Sequence, residues 1–474
     1  MAEYTCKSER CGRTFGEEEI KLTNDENKCI LHCEKINKIN NKQVNNAMET
    51  LFNDNLKALI KKQENNVVLK DIDFFPNNQG ADKVLFECNK IEFDKCIFHH
   101  SLNETINETI EFKFKGCIFN NDWKHLYSNK VKYYDCKFEN YKLDESIDEI
   151  GNLILQKCKF ENDFLITSLR GDKKEFKIEK IDLKESTFNK EVKIQFCDIK
   201  DVNFYNTTFE DIADFYNTTF EKVNVERTDF EKMVIFTEVI FNCDVNFKYT
   251  TFGGNAMFQS TTFKNRINLE KSFIHNEMNF VNANINNVDK KETARIIKHS
   301  FDKINNIIEA NKYYALEMKK REEELKDNWF EWFVFKIHGI ASNHSQDWKL
   351  ALFWIINIGF IAALFDFYTK NCAINFNFQS LLTVIFLVIV VLLIDFILKC
   401  EEKIFSMFLL FGFYLIYRFI TADSYLTNFA NVINPFSIMT KGETLNLGML
   451  IFKVIIAYLM YQFVVSVRQN TRRK

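Results

Sequence analysis

Between Phe204 and Leu269 the chain places a large apolar residue every five or six positions. The series runs Phe204, Phe209, Phe215, Phe220, Val225, Phe230, Phe236, Phe241, Phe247, Phe252, Phe258, Phe263, Leu269. Its mean step, about 5.4 residues, fits neither the 3.6 of a helix nor the 2.0 of a strand. Such a period requires a higher-order coil that turns one large residue inward per side. Phenylalanine supplies 50 of the 474 residues, against 13 Gly and 2 Pro, so a collagen-like or flexible-linker chain is excluded.

A second register lies two residues before most of these positions and holds small or β-branched residues: Val202, Thr207, Ala213, Thr218, Thr228, Val234, Val239, Val245, Thr250, Ala256 and Thr261. Upstream the same pair reads Cys-x-Phe, at Cys96/Phe98, Cys117/Phe119, Cys136/Phe138 and Cys158/Phe160. One small and one large inward residue per side describe a layered interior made by stacking. The four cysteines fall on separate coils without metal spacing, which makes them small buried hydrophobes. The rhythm is close over about 200–285 and degenerate over about 84–200, where insertions at 101–110 and 140–152 interrupt it.

This pattern resembles the pentapeptide-repeat family in its Phe-rich form. The resemblance implies a right-handed quadrilateral β-helix with a ladder of Phe or Leu inside, over residues 67–287. Some members of that family imitate DNA with an acidic rod. Here the acidic excess over the repeat is modest and interspersed with Lys, and the whole chain carries 62 basic against 65 acidic residues. Neither DNA mimicry nor nucleic-acid binding is expected. No Gly-rich phosphate loop, G-x-S-x-G, H-E-x-x-H or S-x-x-K pattern stands out, so no enzyme is expected.

Residues 1–35 hold Cys6, Cys11, Cys29, His32 and Cys33. A ligand pair, a spacer and a second pair suit a tetrahedral zinc site. Cys6, Cys11, Cys29 and His32 form the preferred set, with Cys33 the alternative fourth ligand, because adjacent His32 and Cys33 point in different directions. The segment is too short to build its own core, so zinc would serve structure in a zinc-knuckle-like module. Residues 36–66 read as a helical linker, with Met48, Leu51, Phe52, Leu56, Leu59 and Ile60 at helical spacing.

After the repeat, residues 288–347 read as capping and connecting helices, with Ala294, Ile297, Phe301, Ile304 and Ile308 on one face. Residues 348–474 read as an α-helical transmembrane domain of four spans, about 349–367, 380–398, 404–421 and 447–467. Lys336, Lys349, Lys399, Lys403, Arg468, Arg472, Arg473 and Lys474 fall on one side, and Lys370 and Lys441 on the other. With no apolar leader in the first twenty residues, this predicts both termini in the cytoplasm of a bacterial inner membrane.

Four charges fall within the spans: Asp366, Asp395, Arg418 and Lys453. Asp366 has Arg418 or Lys453 as candidate partners, snorkelling being the alternative, and Asp395 can reach Lys399. The outer loop at 422–446 is a candidate re-entrant segment, although it lacks a carbonyl filter of the T-x-G-[YF]-G type. The expected role is a non-enzymatic cytoplasmic interaction scaffold on a membrane anchor, engaging a protein partner and able to form homo-oligomers. An ion channel or transport protein regulated by its solenoid is the second expectation.

Overall fold

In the computed structural model the Phe-punctuated segment winds into a β-solenoid. The structure describes residues 3–8, 11, 13–25, 27–34, 42–63, 66–76, 79–102, 110–126, 130–143, 149–167, 176–325, 328–371, 411–412, 414–415, 417–437 and 447–471. The chain divides into two compact units, Met1–Ile296 and Ile297–Lys474.

The coil is clearest where the sequence repeats. Each turn contributes to four parallel ladders. One pairs Thr219, Ile240 and Thr262. A second pairs Val202 with Val223 and Val245 with Ile267. A third runs through Thr208, Asp229, Thr251 and Phe273, and a fourth through Ala213, Val234, Ala256 and Met278. The third ladder also extends back through Thr187, Lys159, Lys137 and Ile118 to Ile97. Nine strands in register give a solenoid of about nine turns.

The five-residue step follows from how short each side is. Most strands here hold two residues, and corners are turned by left-handed residues just before the small inward position: Asn206, Asn217, Arg227, Glu238, Tyr249 and Ser260, with φ of 50–61°. The small residue then lies under the neighbouring backbone. Where it is threonine, its hydroxyl donates to a carbonyl of the preceding turn: Thr207 to Leu183 O (2.8 Å), Thr228 to Phe204 O (2.8 Å), Thr250 to Val225 O (2.7 Å). A buried hydroxyl is thereby satisfied. Cys96 and Cys117 occupy the same stack, and their thiols point at Leu69 O (3.3 Å) and Phe93 O (3.5 Å). Burial pushes the Cys96 and Cys136 thiols up, while Cys117 between them, opposed by burial, is brought down to about 5 by hydrogen bonds from Cys136 and Cys96.

The large residue of the third side builds one uninterrupted column. Phe74, Phe98, Phe119, Phe138, Phe160, Phe188, Phe209, Phe230 and Phe252 stack with centroids 4.5–5.8 Å apart and planes within 3–17° of parallel. A strand spacing of about 4.8 Å between turns is what allows rings to stack in this way. A shorter column, Phe215, Phe236, Phe258 and Phe280, stacks on the adjoining fourth side.

Both ends of the solenoid are covered. At the start, helix α2 (Lys42–Gln63, after α1 at Glu17–Thr23) buries Met48, Phe52 and Leu56, and Phe52 meets Phe74 and Phe75 edge-on. A further helix, α3, covers Gln79–Phe86. At the far end, helix α4 (Lys291–Lys303) begins with Thr293, whose hydroxyl accepts the Leu269 amide at 2.9 Å, and with fully buried Ala294. An open end would leave apolar side chains and unpaired strand edges in water.

The second unit is helical: α5 (Ile307–Glu324), α6 (Trp329–Ser342), α7 (Trp348–Asn371), α8 (Thr427–Ile433) and α9 (Leu447–Thr471). Two of these, α7 and α9, are long and apolar enough to cross a membrane, where four spans are expected from sequence. The second expected span, 380–398, lies outside the described residues. The third overlaps them only over 411–421, where the described residues are helical. Helices α7 and α9 pack closely, and a Cβ on Gly448 would stand 2.7 Å from the Phe365 ring.

Candidate metal centre and the charges of the helical unit

The N-terminal cysteines are held by a short hairpin and a turn. Strands β1 (Glu3–Thr5) and β2 (Thr14–Gly16) pair antiparallel, and the Cys6 amide donates to Arg13 O (2.9 Å) as the hairpin opens into its loop. Cys11 closes that loop through its amide to Ser8 O (3.1 Å). Helix α1 then carries the chain back, ending at left-handed Asn24. A turn follows in which the His32 amide donates to Cys29 O (2.9 Å). Cys29 and His32 thus face the hairpin cysteines from one turn.

The ligand atoms of Cys6, Cys11, Cys29 and His32 all lie within 4.8 Å of one another. Cys11 Sγ to Cys29 Sγ is 3.8 Å, Cys6 Sγ to His32 Nδ1 is 3.7 Å, and Cys29 Sγ to His32 Nδ1 is 3.1 Å. A tetrahedron with zinc–sulfur bonds of about 2.3 Å has edges of about 3.7 Å, so the residues fit a zinc-sized ion. The Cys29 amide donates to Cys6 Sγ (3.4 Å), a bond that stabilises a thiolate. His32 Nε2–H donates to Lys70 O (3.1 Å) on strand β3 (Val67–Lys70), leaving Nδ1 with its lone pair toward the cysteines. Cys33 is buried nearby, but its thiol points at Ile30 O (3.8 Å), outside the group.

Electrostatics agree with a shared anionic site. A hydrogen bond from the Cys11 thiol, helped by His32, carries Cys29 down to about 3 against the opposing effect of burial. The same bond, with burial, pushes Cys11 far up, and burial raises Cys6. Behind them Arg13 makes a two-pronged pair with buried Glu19, both contacts at 2.8 Å, and Glu19 accepts the Ile30 amide at 2.6 Å. Sequence reading does not single out Glu19. The signal it misses is that a helix carboxylate must anchor a turn that has almost no core.

The charges of the helical unit part company. Asp366 takes Lys370, one turn along α7, at 2.8 Å, rather than waiting on Arg418, which is exposed. Lys453 is buried and donates to Asn434 O (3.2 Å) and to the Ser437 hydroxyl. Asp395 lies outside the described residues. Set against models of known families, characterised proteins and solved structures, the chain matches none.

Proposed function

We propose that the chain is a membrane-anchored scaffold of the pentapeptide-repeat type, non-enzymatic, whose right-handed, four-sided rod engages a protein partner. The observation that carries this reading is a solenoid with a filled interior. Stacked rings occupy the axis, so recognition falls to the outer faces. Those faces are braced by ion pairs between neighbouring turns, such as Lys137–Glu161 (2.9 Å), Lys232–Asp211 (3.1 Å) and Arg266–Asp244 (2.7 Å). Tyr249 and Phe273 stand exposed on the same surface. A rigid, extended surface of this kind is how stacked-repeat proteins bind. In this reading α7 and α9 belong to a four-span domain of a bacterial inner membrane, with both termini cytoplasmic, and zinc in the Cys/His group holds the N-terminal end. The test is photocrosslinking from solenoid faces in native membranes. A partner lost with Tyr249→Ser and Phe273→Ser supports the scaffold, and crosslinks indifferent to every face refute it.

One observation favours transport as a second reading. Helix α8 packs against the middle of α7, where a Cβ on Gly359 would meet Ile433 and Phe429 at 2.8–3.0 Å. The chain then turns at Asn434, whose carbonyl takes the Lys453 ammonium. A segment entering to mid-span depth between packed helices is how pores bring backbone into a membrane. Ion flux through reconstituted protein, changed by Lys453→Ala, supports this reading, and flux absent from the intact chain removes it.

A further inference from the structure

Helix α6 exposes more large apolar surface than a helix in water tolerates. Trp329 is 74% exposed, Phe330 60% and Phe333 50%, and Trp332, Val334 and Ile337 are exposed too. Trp329, Phe333 and Ile337 follow at i, i+4 and i+8, with Phe330 and Val334 beside them, so they form one broad stripe. The other side of the helix is held by protein: Arg321 lies 5.1 Å over the Phe335 ring, and Ala341 and Ser342 are buried.

Contacts within this unit fix the depth of the C-terminal end of α6. The Trp354 indole of α7 donates to Ile340 O (2.9 Å), and Gln462 of α9 accepts from Ser342 (3.1 Å) and Ser345 (3.0 Å). Trp354 lies about 9 Å from the start of α7 and Gln462 about 13 Å from the end of α9, at 1.5 Å per residue. Helices of 24 and 25 residues overhang a hydrocarbon core of about 30 Å by about 3–4 Å at each end. The C-terminal end of α6 therefore sits roughly 6–9 Å inside the hydrocarbon edge, the depth at which surface-lying helices bury their apolar face. Trp and Phe are among the side chains that surface-lying helices bury there.

We infer that α6 lies in the membrane surface, with the Trp329–Phe333–Ile337 stripe occupied by lipid. This rests on the reading of α7 and α9 as spans. It makes α6 a lateral brace that sets the tilt and depth at which the spans meet the bilayer.

The test uses the full chain in vesicles of phosphatidylethanolamine and phosphatidylglycerol, with p-benzoylphenylalanine placed singly at Phe330, Phe333, Phe335 or Val454. Val454, exposed on α9, reports on the spans. Lipid adducts at Phe330 and Phe333 should match those at Val454 and exceed those at Phe335 several-fold. Adducts to a second copy, or to residues 372–410 of the same chain, overturn the inference while Val454 still labels lipid. Loss of lipid adducts at Val454 as well overturns the membrane reading with it. Trp329→Phe and Trp332→Phe, which keep the stripe apolar, give an independent readout. Quenching by lipids brominated near the headgroup should fall markedly in the double variant, and unchanged quenching counts against the inference.

Discussion

The two halves of the solenoid reach the same coil by different routes. Beyond residue 197 the turns are 21 or 22 residues long, as in Thr208, Asp229, Thr251 and Phe273. The strands there are mostly two residues long, and the inward small position is threonine or a β-branched or small substitute. Before it, the strands lengthen, one turn stretches from Lys159 to Thr187, and the small position is cysteine. The early interior also admits polar aromatic groups. The Trp123 indole donates to the Tyr133 hydroxyl (3.1 Å), His125 pairs with Tyr141 (2.7 Å), and His99 with Asp73 (2.8 Å). What both halves keep is the column from Phe74 to Phe252. The repeat constrains one side strictly and lets the others drift, and these aromatic and histidine groups are accommodated by pairing with one another or with a carboxylate.

The largest expected effect is at the N-terminal end, where no repeat supports the chain. A structural zinc site contributes on the order of 10 kcal/mol of binding free energy to the fold around it. Chelation, or Cys29→Ser, should therefore unfold residues 3–34 and release His32 from Lys70 O. The second half should keep its amide protection. Hydrogen exchange before and after chelation reads both. Equal loss of protection in Thr251–Phe252 would mean that the halves are one cooperative unit.

Next comes the shared column. Phe119→Ala and Phe230→Ala each remove a ring stacked on both faces, and each should cost about 3–5 kcal/mol. Equal costs, measured by denaturant unfolding, would place the strict constraint in the column itself. A much smaller cost at Phe119 would show that the irregular half leans on Trp123 and Tyr133 instead.

Acid should separate the halves. Burial lowers His125 from 6.5 to about 3, so it is neutral when folded while the unfolded chain takes up a proton. Its contribution is complete above pH 6.5 and is lost as pH falls toward 3, by up to a few kcal/mol at about 1.4 kcal/mol per pH unit. The second half has no buried histidine among the described residues. Protection at Val131–Tyr134 should drop between pH 7 and pH 4 more than at Asp229–Phe230. His125→Gln should flatten that difference, and an unchanged pH response in this variant would assign the effect elsewhere.

The same contrast marks what sequence can convey. The column and the small-residue stack are visible as a period because every turn must repeat them, and so is the cluster of Cys6, Cys11, Cys29 and His32. His32 is legible over Cys33 only as a preference, because what decides it, the aim of the turn and Lys70 O 38 residues away, is not visible. Nor is Glu19, whose role exists only once α1 lies against the Ile30 turn. Period reveals what is repeated in layers. Single contacts between distant segments leave no period, and Lys453 meeting Asn434 is of that kind.

The smallest expected effect separates thiol from hydroxyl in one stack. The Thr228 hydroxyl sits 2.8 Å from Phe204 O, and the Cys117 thiol 3.5 Å from Phe93 O. Valine matches threonine in shape but removes this bond, leaving Phe204 O with the Thr207 amide (3.0 Å), at about 1 kcal/mol. A thiol is a weak donor, so Cys117→Val should cost less than about 1 kcal/mol. Ser186, between the two series, donates to Leu155 O at 2.7 Å, so Cys117→Ser should be accepted without loss. Thermal unfolding of the three variants reads the difference. If Cys117→Val costs as much as Thr228→Val, the stack is governed by shape alone, and the halves differ in ornament rather than in how they are held.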